Sequence, residues 1–243
     1  MAITHSGFTV ARIPMLADNY AWMVSRQGAT AFIDPADAAV AIDAVTQAGG
    51  RLDYVLLTHH HDDHIAGATA LATRFGAKLA GNAADAARLP KLDIALGNTN
   101  TLDFGGTTLR MIATPGHTTG HVAWLFGDAI AACGDTVFSL GCGRMFEGTP
   151  ELFHSSLQRI AALDPGTMLL CGHEYTLANA RFARSVDPDN KVLAARAAEI
   201  EAMRRENKPT LPVFLADELK TNPFLRAATA EDFARLRAAK DRF

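Results

Sequence analysis

Residues 58–64 read THHHDDH and directly follow the apolar run YVLL at 54–57. The apolar run predicts a short buried strand, so four histidines and two aspartates lie where that strand ends. From residue 59 the stretch also reads HxHxDH, a spacing of imidazole and carboxylate groups that suits zinc, iron or manganese. We expect the intervening His60 to point away from such a site. A solvated, histidine-rich loop is the alternative interpretation.

Three further predicted strands end in a glycine beside a histidine or an aspartate. Their last residues read TPGH at 114–117, CGD at 133–135 and CGH at 171–173. A single histidine at a strand end is usually structural, but five histidines and two aspartates at strand ends indicate a metal site. Seven ligands are too many for one tetrahedral ion and fit two divalent cations that share one carboxylate. The candidates are His59, His61, Asp63, His64, His117, Asp135 and His173.

The length and composition of the chain indicate one large domain with a small additional one. Of its 243 residues 49% are apolar, which is enough for a sizeable core. The net charge of −3 excludes a global basic field that would attract nucleic acid. No apolar run approaches the roughly 20 residues that cross a bilayer, and no signal peptide is evident. Three widely spaced cysteines argue against a disulfide framework, so we expect a cytoplasmic protein. Nothing in the sequence demands more than a monomer.

Periodicity and turn signals divide the chain into a sheet-containing part and a helical part. Strands are predicted at 22–24, 31–33, 54–57, 107–112, 121–126, 129–133 and 167–171, with hairpin turns at Gly105-Gly106 and Gly127-Asp128. Helices are predicted at 36–48, 65–75, 150–162, 177–186, 191–206 and 230–240. The third of these has Thr149 as its cap and Pro150 at its first position. We therefore predict a sheet-containing domain over 1–172 and a small helical domain over 173–243.

Taken together, these motifs resemble the metallo-β-lactamase superfamily, and most closely its hydroxyacylglutathione hydrolase (glyoxalase II) branch. The resemblance extends over nearly the whole chain. It is carried by THHHDDH and by DNY at 18–20, FIDP at 32–35, TPGHT at 114–118, GCGR at 141–144, FEGT at 146–149, CGHEYT at 171–176, NPFLR at 222–226 and RxxKD at 237–241. It implies an α/β (α+β) fold, an αββα sandwich with the metals at one edge of its two sheets and a C-terminal all-helical domain.

The resemblance also implies how the metal ligands are divided. One ion would bind His59, His61 and His117, the other Asp63, His64 and His173, and Asp135 would bridge them. Asp63 and Asp135 would act in catalysis together with a metal-bridging hydroxide. Asp34 either supports the metal ligands or is only a turn residue, and both interpretations stay open. His60, His121, His154 and His5 fall outside the ligand set, as structural or surface residues.

The substrate implied by the resemblance is S-D-lactoylglutathione or a related 2-hydroxyacyl glutathione thioester. The family's glutathione site falls on Arg144, Tyr175, Asn179, Arg237 and Lys240, and cations suit the two carboxylates of glutathione. For Arg237 and Lys240, a solvated last helical turn is the alternative. Some relatives have lysine where this chain has Arg144 and tyrosine where it has Phe146. A hydroxyl contact is lost at Phe146 if that tyrosine binds through its side chain.

The implied reaction is hydrolysis of the thioester to glutathione and D-lactate, the second step of methylglyoxal detoxification. Zinc is the preferred metal, and iron or manganese are alternatives. Two rival interpretations are weighed against this one. The first is another hydrolase of the superfamily, a β-lactamase, a phosphodiesterase or nuclease, or a persulfide dioxygenase with one iron. The second is a metal-binding protein without catalytic activity.

Overall fold

Two β-sheets form the centre of the protein in a computed structural model that describes residues 2–97 and 100–243. The first sheet has seven strands whose spatial order follows the chain. They are β1 (Ala2–His5), β2 (Phe8–Met15), β3 (Asn19–Arg26), β4 (Ala29–Ile33), β5 (Tyr54–Leu56), β6 (Lys78–Asn82) and β7 (Ile94–Leu96). The first four strands are antiparallel, whereas β4 to β7 are parallel, so β4 and β5 end at the same edge.

The second sheet has six strands in the spatial order β15-β14-β11-β10-β9-β8. They are β8 (Thr101–Asp103), β9 (Thr108–Ala113), β10 (Val122–Phe126), β11 (Ile130–Gly134), β14 (Met168–Cys171) and β15 (Val213–Phe214), and a separate ribbon pairs β12 (Val137–Phe138) with β13 (Gly141–Cys142). The predicted hairpins are confirmed between β8 and β9 and between β10 and β11. Gly105, Gly106 and Gly127 have the positive φ angles that such turns require.

Strand β3 explains how the two sheets and the helices form layers. Because side chains alternate between the faces of a strand, Trp22 and Val24 pack in the core between the sheets. Ala21 and Met23 face the other way, against α1 (Ala38–Gln47) and α3 (Ala68–Phe75). On the far side of the second sheet, α4 (Pro150–Ala161) packs against α8 (Ala230–Asp241). This arrangement confirms the predicted αββα sandwich.

The helix predicted over 65–75 is wrong in one respect, because the chain forms two helices there. The first, α2 (Asp62–Ile65), begins three residues earlier than predicted, and α3 follows after Gly67. The amide of Gly67 donates to the carbonyl of Pro35 at 2.8 Å, and a Cβ at this position would lie 2.7 Å from that oxygen. The close approach of the 35–38 segment therefore separates the two helices, and it places Asp63 and His64 in the single turn of α2.

The C-terminal part is helical, as predicted, with two additions, a helix at Leu215–Thr221 and a short strand directly before it. Its helices are α5 (Thr176–Val186), α6 (Lys191–Arg205), α7 (Leu215–Thr221) and α8. The two-residue strand β15, immediately before α7, pairs with β14 and so extends the second sheet. The boundary between residues 172 and 173 stays a prediction. Among the described residues, no helix is both long and apolar enough to cross a membrane.

Candidate metal centre

The ends of four strands meet at one edge of the sandwich. The segment 57–61 follows β5 in the first sheet, and the segments that hold His117, Asp135 and His173 follow β9, β11 and β14 in the second. Strands β11 and β14 are parallel neighbours, so the two residues that follow them lie side by side. Six of the seven predicted ligands form two compact groups, and Asp135 lies between them.

The first group contains His59, His61 and His117. Nδ1 of His61 lies 3.1 Å from Nε2 of His59 and 3.1 Å from Nε2 of His117. Three nitrogens bound to one tetrahedral zinc at 2.0–2.1 Å would be roughly 3.3 Å apart, so this spacing fits a shared cation. The opposite ring nitrogens of two of these residues are held in place. Nδ1 of His59 lies 2.9 Å from the Thr58 hydroxyl, and Nδ1 of His117 lies 2.8 Å from the Arg144 carbonyl.

The second group contains Asp63, His64 and His173. Nε2 of His64 lies 3.3 Å from Nε2 of His173, and Oδ2 of Asp63 lies 3.7 and 3.5 Å from these two nitrogens. Again three donor atoms, one from each residue, surround a single point. Both imidazoles present Nε2 to that point and use Nδ1 for other contacts.

Asp135 joins the two groups. Its Oδ2 lies 3.5 Å from Nε2 of His117 and 3.4 Å from Nε2 of His173, while its Oδ1 lies 3.4 Å from Nε2 of His64. The residue is buried, and Oδ1 has no hydrogen-bond partner among the described residues. A buried carboxylate oxygen without a partner is costly, and a cation at this place would remove that cost. The donor set therefore fits metal ions on both sides of Asp135.

The histidines of the first group are held neutral, whereas His64 of the second group holds a proton. Burial, together with the neighbouring histidines, keeps the pKa of His59 well below its usual value, so this imidazole is neutral. Burial also lowers the pKa of His61 and of His117. For His64 burial would lower the pKa, but the carboxylates of Asp135 and its neighbours outweigh burial and raise it to about 9. A cation that binds His64 therefore takes the place of a proton.

Three residues at the edge of the first sheet contact the side chains of the second group. Oδ2 of Asp34 lies 3.0 Å from Nδ1 of His64, and Oδ1 of Asp18 lies 2.9 Å from Nδ1 of His173. The side-chain amide of Asn19 donates to Oδ2 of Asp63 at 2.9 Å. Such contacts fix the orientation of a metal-ligand side chain and therefore the direction of its free lone pair. Asp34 also accepts from the amide and the hydroxyl of Thr58, which links it to the strand end.

Asp18 and Asn19 were not identified from the sequence as part of the site. The DNY motif was noted only as a mark of resemblance, although its first two residues contact two ligands. His121, which the sequence analysis leaves outside the ligand set, is fully buried. Its ring stacks on His59 at 4.7 Å, and its Nε2 accepts from the amide of Asp135 at 3.1 Å. His121 therefore holds the backbone at Asp135 in place.

A cavity of about 560 Å³ opens over the two groups. Metal-ligand candidates form its floor, and aromatic side chains with one arginine form its walls. The lining residues are His61, Asp63, His117, Asp135, His173, Phe138, Arg144, Phe146 and Tyr175. The ring of Tyr175 stacks on His173 with 4.6 Å between centroids, and burial raises the pKa of this tyrosine to about 12. Its hydroxyl is therefore a neutral hydrogen-bond donor at physiological pH.

Comparison with known proteins identifies the family. A model described as the metallo-beta-lactamase superfamily matches residues 17–173, and one described as the hydroxyacylglutathione hydrolase C-terminus matches residues 174–243. A hydroxyacylglutathione hydrolase from Acidiphilium cryptum (strain JF-5) is 74% identical over 243 residues, which are 100% of both chains. The chain belongs to the hydroxyacylglutathione hydrolase family. It is thus a hydrolase of the metallo-β-lactamase superfamily.

Two solved structures share the fold. The crystal structure of ETHE1 from Myxococcus xanthus has a TM-score of 0.71 and 20% identity, and the match covers 94% of this chain and 89% of that one. TTHA1623, crystallised in a di-iron-bound form, has a TM-score of 0.60 and 22% identity, with 85% and 94% covered. At these identities the comparison supports the fold, while family membership depends on the closer relative.

The five candidates for glutathione binding differ in whether they line the cavity. Arg144 and Tyr175 line the cavity. Asn179 is buried, and its side-chain amide donates to the Ser139 carbonyl at 3.1 Å. The other two candidates lie on α8, where neither of them lines the cavity. The substrate-binding role of all five stays a prediction, and only two of them have direct access to the space above the metal centre.

The two α8 candidates make different contacts. Arg237 is buried, and its Nη1 lies 3.2 and 3.3 Å from the carbonyls of Cys142 and Gly143. Lys240 is half-buried, and its Nζ donates to the Ala178 carbonyl at 3.2 Å. Both cations therefore support the backbone that surrounds the cavity. Neither is the solvated terminal residue of the alternative interpretation.

The cysteines do not compete as nucleophiles in this hydroxyacylglutathione hydrolase family member. All three are buried and free. Burial raises the pKa of Cys133 to about 12 and, despite the nearby Arg237, that of Cys142 to about 11. A thiol that stays protonated at neutral pH is a poor nucleophile. Covalent catalysis by these residues is therefore disfavoured.

Proposed function

We propose that the cavity above Asp135 hydrolyses S-(2-hydroxyacyl)glutathione thioesters, chiefly S-D-lactoylglutathione, to glutathione and D-lactate. This reaction is the second step of methylglyoxal detoxification. One observation carries the proposal at the level of the site. A buried carboxylate lies within 3.5 Å of donor atoms of both ligand groups, at the floor of a cavity lined by Arg144 and Tyr175. The family relationship supplies the substrate class.

The proposal includes two divalent metal ions. His59, His61 and His117 would hold one, Asp63, His64 and His173 the other, and Asp135 would contact both. When bound, the ions supply a hydroxide at neutral pH and polarise the thioester carbonyl. Zinc is the preferred metal because imidazole and carboxylate ligands suit it, and iron or manganese stay alternatives. The di-iron form of TTHA1623, a protein of the same fold, is consistent with iron as an alternative.

The residues of the chain have distinct roles in this proposal. Arg144 offers a cation to a carboxylate of glutathione, and the neutral hydroxyl of Tyr175 offers a hydrogen bond. Phe138 and Phe146 exclude water from the sides of the cavity, which strengthens the electrostatic interactions inside it. The leaving group is a thiol whose ordinary pKa is about 8.5, so its departure needs no strong general acid. Positioning of the thioester is thus the main task of the walls.

A cytoplasmic location and a monomeric state complete the proposal. Three free, buried cysteines agree with a reducing compartment. All seven proposed metal ligands belong to one chain, so a monomer suffices for the proposed reaction.

The first prediction concerns substrate and metal. We expect the purified protein to hydrolyse S-D-lactoylglutathione and to lose most activity when a chelator removes its metal, because the hydroxide then has no source at neutral pH. Activity should return when zinc, iron or manganese is added. The measurement is thioester cleavage alongside metal analysis, with a β-lactam and a phosphodiester as comparison substrates. Preferred cleavage of either comparison substrate, or full activity of the metal-free protein, would contradict the proposal.

The second prediction concerns Arg144, whose side chain is 62% exposed at the cavity wall. We expect Arg144→Met to raise KM for S-D-lactoylglutathione by about 5- to 20-fold, since a charge-assisted hydrogen bond is lost at a partly solvated site. We expect kcat to stay within about twofold, because the metal ligands are untouched. Arg242→Met is the matched control, as it removes the same charge from an exposed residue outside the cavity lining. An equal rise in KM for both variants would remove Arg144 from the site.

A further inference from the structure

The segment 143–148 forms one wall of the cavity, and we call it the substrate loop. It connects β13 to the start of α4 and carries Arg144 and Phe146. Both residues are largely exposed: the side chain of Arg144 is 62% exposed, and Phe146 is 59% exposed. Two hydrogen bonds tie the loop backbone to His117. The Phe146 amide donates to the His117 carbonyl at 3.3 Å, and Nδ1 of His117 donates to the Arg144 carbonyl at 2.8 Å. The start of the loop is also held, because the Gly143 amide donates to the Thr136 carbonyl at 3.4 Å and Nη1 of Arg237 donates to the Gly143 carbonyl at 3.3 Å. Further support is therefore needed at the far end of the loop, beyond Phe146.

Glu147 provides that support from within the loop. Its Oε1 accepts from Nη1 of Arg88 at 2.7 Å. Its Oε2 accepts from the amide of Thr119 at 2.5 Å and from the hydroxyl of the same residue at 2.8 Å. Arg88 also donates to that hydroxyl, at 3.0 Å. Two separate chain segments thus donate hydrogen bonds to the two oxygens of one carboxylate. The pKa of Glu147 is lowered to about 2, and the hydrogen bond from Arg88 is the largest cause.

Arg88 is itself anchored in the protein by Asp85. Nε of Arg88 donates to Oδ1 of Asp85 at 2.6 Å, and Asp85 is only 4% exposed. A Cβ at Gly120 would overlap the Asp85 carboxylate, so the residue that precedes His121 is a glycine for steric reasons. On its other side, Oδ2 of Asp85 lies 3.5 Å from Nδ1 of His60. The chain of hydrogen-bonded ion pairs therefore runs from Glu147 of the substrate loop through Arg88 to the buried Asp85.

We infer that Asp85, Arg88 and Glu147 are positioning residues that fix the substrate loop above the metal centre. By holding Arg144 at the cavity wall, they would set the affinity for the glutathione part of the thioester. This inference rests on the proposed function. Isolated exposed ion pairs contribute little, but here one carboxylate and one guanidinium join three segments. Because the loop carries Arg144 at the cavity wall and contributes no proposed metal ligand, its position matters for substrate affinity more than for the chemical step.

The test is Glu147→Gln, which keeps the size of the side chain and removes its charge. We expect KM for S-D-lactoylglutathione to rise by about 3- to 10-fold, while kcat and metal content stay within about twofold. The rise should not exceed that of Arg144→Met, because misplacing a group cannot cost more than deleting it. Glu206→Gln is the control, since it breaks an exposed ion pair with Lys208 that is not connected to the cavity. A KM equal to that of the wild type would overturn the inference.

A double mutant separates positioning from general loosening of the protein. If Glu147 acts mainly through Arg144, adding Glu147→Gln to Arg144→Met should change KM by less than about twofold. If Glu147 is only a structural residue, the two effects on KM should multiply, and that result would overturn the inference. Arg88→Lys keeps the cation and should recover part of the affinity that Arg88→Met loses.

Hydrogen exchange provides a readout that does not depend on activity. Amides of residues 143–148 should exchange faster in Glu147→Gln than in the wild type or in Glu206→Gln. Unchanged exchange in this segment would overturn the positioning role even if KM rises. Failure of the proposed function would instead be visible in the wild type, as absence of thioester cleavage with the loop still ordered by Glu147.

Discussion

Substituting Asp135 with asparagine is expected to lower kcat/KM for S-D-lactoylglutathione by more than about 100-fold and to remove at least one metal ion per chain. Even the loss of a partner that merely orients a ligand costs 10- to 100-fold in metal affinity or activity, and Asp135 is a proposed ligand itself. It is also the residue within 3.5 Å of donor atoms of both groups. Its ionised form dominates at any physiological pH, because the neighbouring histidines outweigh burial and hold its pKa far below the usual range.

Asp62→Asn is the matched control for this substitution. Asp62 belongs to the same THHHDDH stretch and lies next to a proposed ligand, but it is exposed and belongs to neither compact group. It should keep the metal content and kcat/KM of the wild type. The measurements are metal analysis and steady-state kinetics, with circular dichroism to show that both variants fold. If Asp135→Asn retained two ions and full turnover, the proposal that this residue bridges two metals would be wrong.

The sequence identified the metal-ligand candidates because each follows an apolar strand at a recognisable spacing. Strands β9, β11 and β14 run in the same direction in the second sheet, so the candidates that follow them reach one edge. The candidates that follow β5 meet them there because the first sheet packs against the second. Asp18 and Asn19 were missed for the opposite reason. Their contacts with His173 and Asp63 join residues more than 40 positions apart, and no local pattern indicates such pairs.

Burial limited the prediction of the substrate site. Arg144 and Tyr175 line the cavity, whereas Arg237 is buried against backbone carbonyls. From the sequence, an arginine in the last turns of a helix gives no indication of which side faces the protein.

The split between α2 and α3 was missed in a similar way, because the approach of the Pro35 carbonyl to Gly67 is a tertiary contact. The local pattern predicts an element, and its exact end depends on what packs against it.

The C-terminal part also supports the cavity through one buried carboxylate. Glu218 lies on α7 with no exposed surface, and it accepts four hydrogen bonds. Its Oε1 accepts from the Ser139 hydroxyl at 2.9 Å and from Nη2 of Arg196 at 3.0 Å. Its Oε2 accepts from the Leu140 amide at 2.7 Å and from the Asn222 side chain at 3.0 Å. These contacts hold the turn between β12 and β13, next to Phe138 of the cavity wall.

Glu218→Gln is therefore expected to destabilise the folded protein by about 3–5 kcal/mol, the range for breaking a buried ion pair by removing one partner. All four groups around the carboxylate donate hydrogen bonds, so the amide of glutamine would face at least one donor that it cannot satisfy. The free energy of unfolding is measured in urea at matched metal content. Because the turn supports Phe138, we expect a rise in KM at temperatures where the variant is still folded.

Asp217→Asn is the matched control for this last prediction. Asp217 precedes Glu218 on the same helix and contacts the same arginine at 3.6 Å, but its side chain is 49% exposed. Solvent screens such a pair, so the substitution should cost less than about 1 kcal/mol. A similar loss of stability in both variants would mean that the charge of α7 matters as a whole. It would contradict the specific role of the Glu218 carboxylate in joining the C-terminal helices to the cavity wall.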